Sequence, residues 1–219
     1  MSSDDPKVRL FIGVRVSMGV VRDLTETVDK LRTSASEAGL KIRWVSPANY
    51  HVTMKFLGWA RPEVVVALRD VVGSAVRGQR EFSYRTAKLG AFPDQGKARV
   101  LWAGVEADGG RLSALTKLID EATASLGFSA EKREFHAHVT IGRIRKFADC
   151  QSLLLPYAEQ AYRETFVQSL VLFESVNKSG GYEYQARAEW PLEGRSKGSK
   201  RQTKPLKEKF NQEQQQDGD

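Results

Sequence analysis

One tetrapeptide occurs twice in this chain, and each copy has the pattern of a β-strand. Residues 51–54 are His-Val-Thr-Met and residues 138–141 are His-Val-Thr-Ile, so the two copies use two of the three histidines in the sequence. Successive side chains of a strand point to opposite faces of a sheet. Histidine and threonine therefore share one face in each copy, and the aliphatic residues share the face that packs against a core.

The elements around the two tetrapeptides favour a duplicated α+β fold. Period-two alternation predicts a strand at 8–16. Strands are also predicted at 41–45, 50–57, 81–89 and 99–105, around the second tetrapeptide, and at 164–176 and 182–190, the last two forming a hairpin. Apolar residues at helical spacing predict helices at 17–39, 62–76 and 112–126, and a further helix is predicted at 152–162. If an approximate two-fold axis relates two such lobes, their polar faces meet across one cleft.

Two imidazoles and two hydroxyls in one cleft suit phosphodiester chemistry. With a pKa near ~6.5, one neutral histidine can take a proton from water while the other, protonated, gives a proton to the departing oxygen. The Thr53 and Thr140 hydroxyls can donate to nonbridging phosphate oxygens, where charge develops. No metal or other cofactor is required by this scheme. It predicts a bell-shaped dependence of turnover on pH around neutrality.

Composition narrows the setting of this chemistry. Cys150 is the only cysteine, so the chain can form no intramolecular disulfide and no thiolate metal cluster of its own. The N-terminus has acidic residues where a signal peptide needs basic ones. No apolar run approaches the roughly 20 residues of a membrane span. We expect a cytoplasmic monomer without a membrane partner.

The net charge of +7 points to an anionic partner, but much of it lies at the C-terminus. Residues 195–219 are basic and Gln-rich, with one aromatic residue and no apolar periodicity, so we predict a disordered tail. The tail is either a solvated terminus or a weak electrostatic hold on RNA. Residues 1–194 are predicted to form a single bilobal domain.

Four stretches give the chain a resemblance to a known family. They are RLFIGV, RWVSPANYHVTMKFLG, LGAFPDQGKARVLWAGV and GFSAEKREFHAHVTIGRIR, in that order. Over residues 7–192 the sequence resembles the 2H phosphoesterase superfamily, and within it the RNA 2′,3′-cyclic phosphodiesterases, also called 2′-5′ RNA ligases. The resemblance implies an antiparallel sheet with flanking helices in each lobe and a cleft that holds both HxTx motifs.

The same resemblance implies an activity and roles. Members open a terminal 2′,3′-cyclic phosphate of RNA, tRNA fragments included, to a 2′-phosphomonoester without metal. By matching motifs, His51 is the general acid that protonates the departing 3′ oxygen, and His138 is the general base that activates water. Some members also join RNA ends through a 2′-5′ bond.

Two positively charged residues near the motifs are candidates for substrate binding. Lys55 stands where the family commonly has arginine, and in a regular strand it shares the face of His51. Arg143 follows the second motif in a family-like position, but only a bulge or a strand end would turn it to the face of His138. Ala137 replaces the usual proline of the family.

Three alternatives remain open from the sequence. His136 and Glu134 share a strand face with His138, so together with His51 they could bind zinc or manganese. The cleft could serve a noncatalytic RNA-binding module. The enzyme could also act on small cyclic nucleotides or on 2′-5′ oligonucleotides.

Overall fold

A computed structural model describes residues 7–179 and 181–194 of the chain. Its helices and strands are β1 (Val8–Arg15), α1 (Met18–Glu37), β2 (Ile42–Trp44), β3 (His51–Ala60), α2 (Val64–Ala75), β4 (Phe82–Phe92), β5 (Ala98–Glu106), α3 (Arg111–Ala124), β6 (His138–Ala148), α4 (Gln151–Leu154), β7 (Ala161–Val167), β8 (Ser169–Lys178) and β9 (Gly181–Pro191). The predicted disordered tail at 195–219 lies outside the described residues.

The strands form one antiparallel sheet whose order explains the bilobal shape. The order is β7-β4-β5-β6-β3-β1-β8-β9, with β2 paired to β6. β3 and β6 meet only at the pair Val52–Val139. The two predicted sheets are therefore two halves of one sheet, joined at its centre by a single residue pair. We call β1, β3, β8 and β9 lobe 1, and β2 and β4–β7 lobe 2.

The chain follows the same path twice around this junction. The succession β1-α1-β3-α2 is repeated as β5-α3-β6-α4, and each succession places one HxTx strand beside the junction. α1 packs against β7, whereas α3 packs against α2 and β3, so each long helix crosses to the other lobe. The predicted α+β fold with an approximate two-fold relation is confirmed.

The two faces of the sheet pack differently. One face of the sheet packs against the helices, and we call it the helix face. It carries the side chains of the main core, among them Leu10, Ile12, Leu101 and Ala103. A second, small cluster of Phe11, Val171 and Phe173 lies on the opposite face, which we call the cleft face. In the part of the chain that the structure describes, no helix is both long and apolar enough to cross a membrane.

Local signals account for α1 and for one error. Ser17 caps α1, because its hydroxyl oxygen accepts a hydrogen bond from Val20 N at 3.3 Å. The helix predicted at 152–162 was too long: α4 ends at Leu154, and a single 3₁₀ turn at Leu155–Tyr157 follows. Pro156 explains this end, because proline has no N–H group and cannot donate the next α-helical hydrogen bond.

The strand predicted at 164–176 is also wrong, since it is two strands at distant places in the sheet. β7 is an edge strand of lobe 2 and β8 lies in lobe 1 between β1 and β9. The chain changes lobes at Gln168, whose carbonyl accepts a hydrogen bond from Leu192 N at 2.8 Å. The predicted final hairpin is confirmed as β8 and β9.

Candidate active site

The site lies where the two HxTx strands meet. The antiparallel pair Val52–Val139 places His51 level with Thr140, and Thr53 level with His138. All four side chains are half-buried, whereas Val52 and Val139 are fully buried on the helix face. The structure therefore brings the four predicted residues together on the cleft face.

A one-residue bulge interrupts both strands immediately after these residues. In β3 the partner of Gly13 is Thr53 and the partner of Ile12 is Lys55, so Met54 is the extra residue. In β6 the partner of Trp102 is Thr140 and the partner of Leu101 is Gly142. Such a bulge reverses the facing of the residues that follow it until the next irregularity in the strand. Both motifs thus change face at the same position.

Hydrogen bonds fix the two histidine rings in the same tautomer. His51 Nδ1–H donates to the carbonyl of Asn49 at 2.7 Å, and His138 Nδ1–H donates to the carbonyl of His136 at 2.6 Å. A carbonyl can only accept, so Nδ1 carries hydrogen in both rings. Nε2 is then the atom that gains or loses a proton. In lobe 1 this atom lies 2.8 Å from the Thr53 hydroxyl.

Burial lowers the pKa of both imidazoles. The pKa of His51 falls to about 4, mainly because burial disfavours the charged ring, and the charges of His138 and Arg143 lower it further. Burial and then Arg143 and His136 also lower the pKa of His138. The carbonyl bonds at Nδ1 act in the opposite direction. Without an anion in the cleft, both rings are neutral near pH 7.

Aromatic side chains explain the burial of His51. Phe11 lies 4.8 Å from the His51 ring, Tyr184 meets its edge at 5.1 Å, and Phe173 lies at 5.9 Å, all between centroids. In lobe 2 the ring of His138 contacts Phe92 edge-on at 5.0 Å. The two histidines therefore sit in different surroundings despite equivalent backbones.

Arg143 is on the cleft face, as the sequence allowed only if a bulge intervened. Its side chain is exposed, and its charge lowers the pKa of both histidines. Arg43 of β2 lies directly opposite Arg143 in the neighbouring strand. The Arg43 guanidinium lies over the ring of Tyr182, 5.7 Å from its centroid, so Arg143 is the guanidinium that makes this end of the cleft suitable for an anion.

Comparisons with known proteins identify the family of this chain. The profile of the LigT-like phosphoesterases matches residues 18–102. An RNA 2′,3′-cyclic phosphodiesterase of Aeropyrum pernix is 35% identical over 116 residues, which cover 53% of this chain and 65% of that protein. An RNA 2′,3′-cyclic phosphodiesterase of Thermotoga maritima is 30% identical over 190 residues, or 85% of this chain and 97% of that protein. The chain belongs to the RNA 2′,3′-cyclic phosphodiesterase family.

Solved structures place the fold in the same group. A protein of Thermus thermophilus superposes with a TM-score of 0.69 at 24% identity, covering 85% of this chain and 98% of that one. The apo form of Escherichia coli LigT superposes with a TM-score of 0.65 at 22% identity, over 85% of this chain and 98% of that chain. The likeness of the fold therefore extends over 85% of this chain.

Lys55 departs from the expectation drawn from strand parity. Its side chain is buried on the helix face, where Nζ donates to Asp120 Oδ1 and to the carbonyl of Ser129, the latter at 2.6 Å. The bulge at Met54 causes the difference, because it turns Lys55 away from the face of His51. The prediction that Lys55 contacts substrate is wrong; its ammonium group holds α3 and the loop before β6.

The alternative metal site is not assembled. His136 is exposed, and its Nε2 lies 3.9 Å from Glu134 Oε2. Across residues 7–179 and 181–194, no three His, Cys, Asp or Glu side chains are grouped as metal ligands. The residues present thus offer zinc or manganese no complete ligand set.

Sequence reasoning missed several cleft residues. Arg43, Tyr184 and Trp102 each stand in a predicted strand, but nothing in their own segments showed which distant strand they would face. The available signal was alternation within a strand. It places Trp102 opposite the fully buried Leu101 and Ala103, and hence on the cleft face.

Proposed function

We propose that this chain hydrolyses a terminal 2′,3′-cyclic phosphate of RNA to a 2′-phosphomonoester without metal. The observation that carries the proposal is the pair of imidazoles, held in the same tautomer on opposite sides of the Val52–Val139 junction. The names of the relatives support RNA ends as the substrate class. We further propose that residues 1–194 act as one domain, as a cytoplasmic monomer, with tRNA fragments among the substrates.

The two histidines divide the proton transfers. His138 Nε2 takes a proton from the attacking water, the new P–O bond forms, the P–O3′ bond breaks, and His51 Nε2–H gives its proton to O3′. His51 must first be protonated, and its pKa of about 4 in the free protein disfavours this state near pH 7. The negative charge of the bound phosphate raises that pKa, so substrate binding favours protonation of His51.

The remaining polar groups stabilise the phosphate. In the neutral ring, His51 Nε2 accepts a hydrogen bond from the Thr53 hydroxyl. Once Nε2 is protonated and faces O3′, it no longer accepts, so the hydroxyl is free to donate to a nonbridging oxygen. Thr140 offers a second hydroxyl, and the Arg143 guanidinium offers charge. If the 5′-hydroxyl of an RNA strand replaces water, the same transfers form a 2′-5′ bond.

The test is hydrolysis of a short RNA ending in a 2′,3′-cyclic phosphate in excess EDTA, followed by phosphorus NMR. We expect the parent to produce the 2′-phosphate. His51→Ala and His138→Ala should each lose at least about a hundredfold in kcat. His136→Ala is the matched control, because it removes an exposed imidazole two residues from His138, and we expect near-parent activity.

Other outcomes identify the alternatives. Recovery of an EDTA-inactive parent by zinc or manganese would assign the site to metal catalysis. An inert parent whose two histidine variants keep their RNA affinity would be an RNA-binding module. Turnover of cyclic mononucleotides or 2′-5′ oligonucleotides, but not of longer cyclic-phosphate ends, would move the substrate to small molecules.

A further inference from the structure

A cavity of about 380 Å³ opens beside His138 in lobe 2. Its apolar wall is made by Phe92, Trp102 and the ring of His138, and its polar side includes Ser113, Lys88 and Glu106. Lys88 Nζ and Glu106 Oε1 form an ion pair of 2.8 Å there. A cavity of this size, with an aromatic wall on one side and several polar groups on the other, can hold one nucleoside.

Trp102 lies directly against the sheet at the back of this cavity. A methyl group built on Gly90 of the neighbouring strand would fall 2.3 Å from Trp102 Cζ2 and 2.4 Å from Cη2. A methyl group on Gly104 would fall 3.2 Å from Cζ3. The two glycines therefore make room for the indole, which covers both. Its half-buried side chain also lines the cavity, so it offers an aromatic surface for stacking a base.

The aromatic wall is continuous with the general base. The Phe92 ring lies 5.3 Å from that of Trp102 and 5.0 Å from that of His138, between centroids. Lobe 1 differs at the equivalent place, because Phe11 and Tyr184 pack on His51 itself. The nucleoside cavity is thus on the side of the histidine that accepts a proton from the nucleophile. Water needs no such cavity.

We propose that this cavity binds the first nucleobase of an RNA strand whose 5′-hydroxyl attacks the cyclic phosphate. The inference rests on the proposed function, since it uses the same acid and base. The 5′-oxygen loses its proton to His138 and bonds to phosphorus, the P–O3′ bond breaks, and O3′ receives the proton of His51. The products are a 2′-5′ phosphodiester and a 3′-hydroxyl, with no other reactant required.

The experiment measures both reactions in one tube. A donor RNA ending in a 2′,3′-cyclic phosphate is mixed with a 5′-hydroxyl acceptor strand, and the ratio of joined to hydrolysed donor is quantified. The acceptor carries either a normal or an abasic first nucleotide. The full-length parent is compared with Trp102→Ala and with Gly90→Ala, which displaces the indole without removing it. Trp59→Ala is the control, because Trp59 is an exposed tryptophan in the outer half of β3.

We expect Trp102→Ala to lower the ratio about tenfold with the normal acceptor, as removal of one base-stacking contact does. Gly90→Ala should follow it, and Trp59→Ala should match the parent. The abasic acceptor should lower the parent ratio by a similar factor but cause no further loss in Trp102→Ala. If a variant fails to fold, the parent alone still tests the proposal. An abasic acceptor that the parent joins as well as the normal acceptor would refute it.

Three further results would overturn it. One is an unchanged ratio of joined to hydrolysed donor in a folded Trp102→Ala protein. Another is a further loss when Trp102→Ala is tested with the abasic acceptor, so that the effects of the two changes multiply. The third is a parent that hydrolyses the donor but joins no 5′-hydroxyl strand, which leaves the proposed function intact. A parent that does neither reaction refutes the proposed function together with the acceptor site.

Discussion

Phe56 in lobe 1 and Arg143 in lobe 2 occupy equivalent positions, each five residues after the histidine of its motif and each beyond a one-residue bulge. Both side chains are exposed. The duplicated backbone thus presents a ring at one end of the site and a guanidinium at the other. Because a guanidinium attracts anions and a phenyl ring does not, we expect the substrate phosphate to lie nearer to lobe 2.

Replacing Arg143 should weaken substrate binding and change the pH dependence. We expect Arg143→Gln to lower kcat/KM about tenfold to a hundredfold, mainly through KM, because a hydrogen-bonded charge is lost. The pKa of both histidines should rise, since Arg143 lowers both. Steady-state kinetics across pH would measure both effects. Arg22→Gln, the same change on exposed α1, is the control, and a variant indistinguishable from it would exclude Arg143 from the site.

Replacing Lys55 should cost stability instead of affinity. Lys55→Met leaves Asp120 without its ionic partner, although Glu131 N still donates to its carboxylate, and breaking a buried ion pair costs about 3 kcal/mol in the free energy of unfolding. The double variant Lys55→Met/Asp120→Leu should recover much of this loss. Urea denaturation measures the cycle. A folded Lys55→Met protein should keep the parent KM within about twofold. A tenfold rise in KM would show that Lys55 contributes to phosphate binding.

The lowered histidine pKa values move the expected pH optimum. The sequence predicted a bell around neutrality, from an ordinary histidine pKa near ~6.5. In the free protein the pKa of His51 is about 4 and that of His138 is also lowered, so both limbs of kcat/KM should lie below pH ~6.5. Because bound phosphate raises the His51 pKa, the alkaline limb of kcat should lie at higher pH than that of kcat/KM. If the alkaline limbs of kcat and kcat/KM coincide, substrate binding does not promote the protonation of His51.

The buried histidine also predicts a pH dependence of stability. Between pH ~6.5 and about 4 the unfolded chain binds a proton at position 51 that the folded protein does not, so stability falls as pH falls through this window. The loss is on the order of 3 kcal/mol, and the full stability is present above pH ~6.5. Urea denaturation at several pH values measures the free energy of unfolding as a function of pH. Between pH ~6.5 and about 4, this free energy should fall less steeply in His51→Gln than in the parent. His136→Gln, at an exposed position, should keep the parent slope.

Local sequence was sufficient for the chemistry of the site. The alternation of His, Val and Thr in each copy put imidazole and hydroxyl on one face, and the structure keeps His51, Thr53, His138 and Thr140 on that face. The bulges were not visible, because Met54 and Ile141 are ordinary strand residues. Lys55 was therefore assigned to the wrong face, and Arg143 to the right one only conditionally.

Errors in the last third of the chain had different causes. Pro156 was present in the sequence as a reason to end α4 early. The division of 164–176 into β7 and β8 had no such local signal, because no Gly or Pro separates the two strands and only Gln168 lies between them. Only their pairing, β7 with β4 and β8 with β1, separates them.

The sequence by itself determined most of the helices and strands, the two HxTx strands among them, and the imidazole and hydroxyl groups that share one face, because these follow from side-chain chemistry and from the period of a strand. The tertiary structure decided which way Lys55 and Arg143 face, how far the pKa of His51 falls, and that Trp102 lies on Gly90 beside a cavity. Those properties depend on contacts between segments far apart in the chain, and the periodicity within one segment carries no information about its partner.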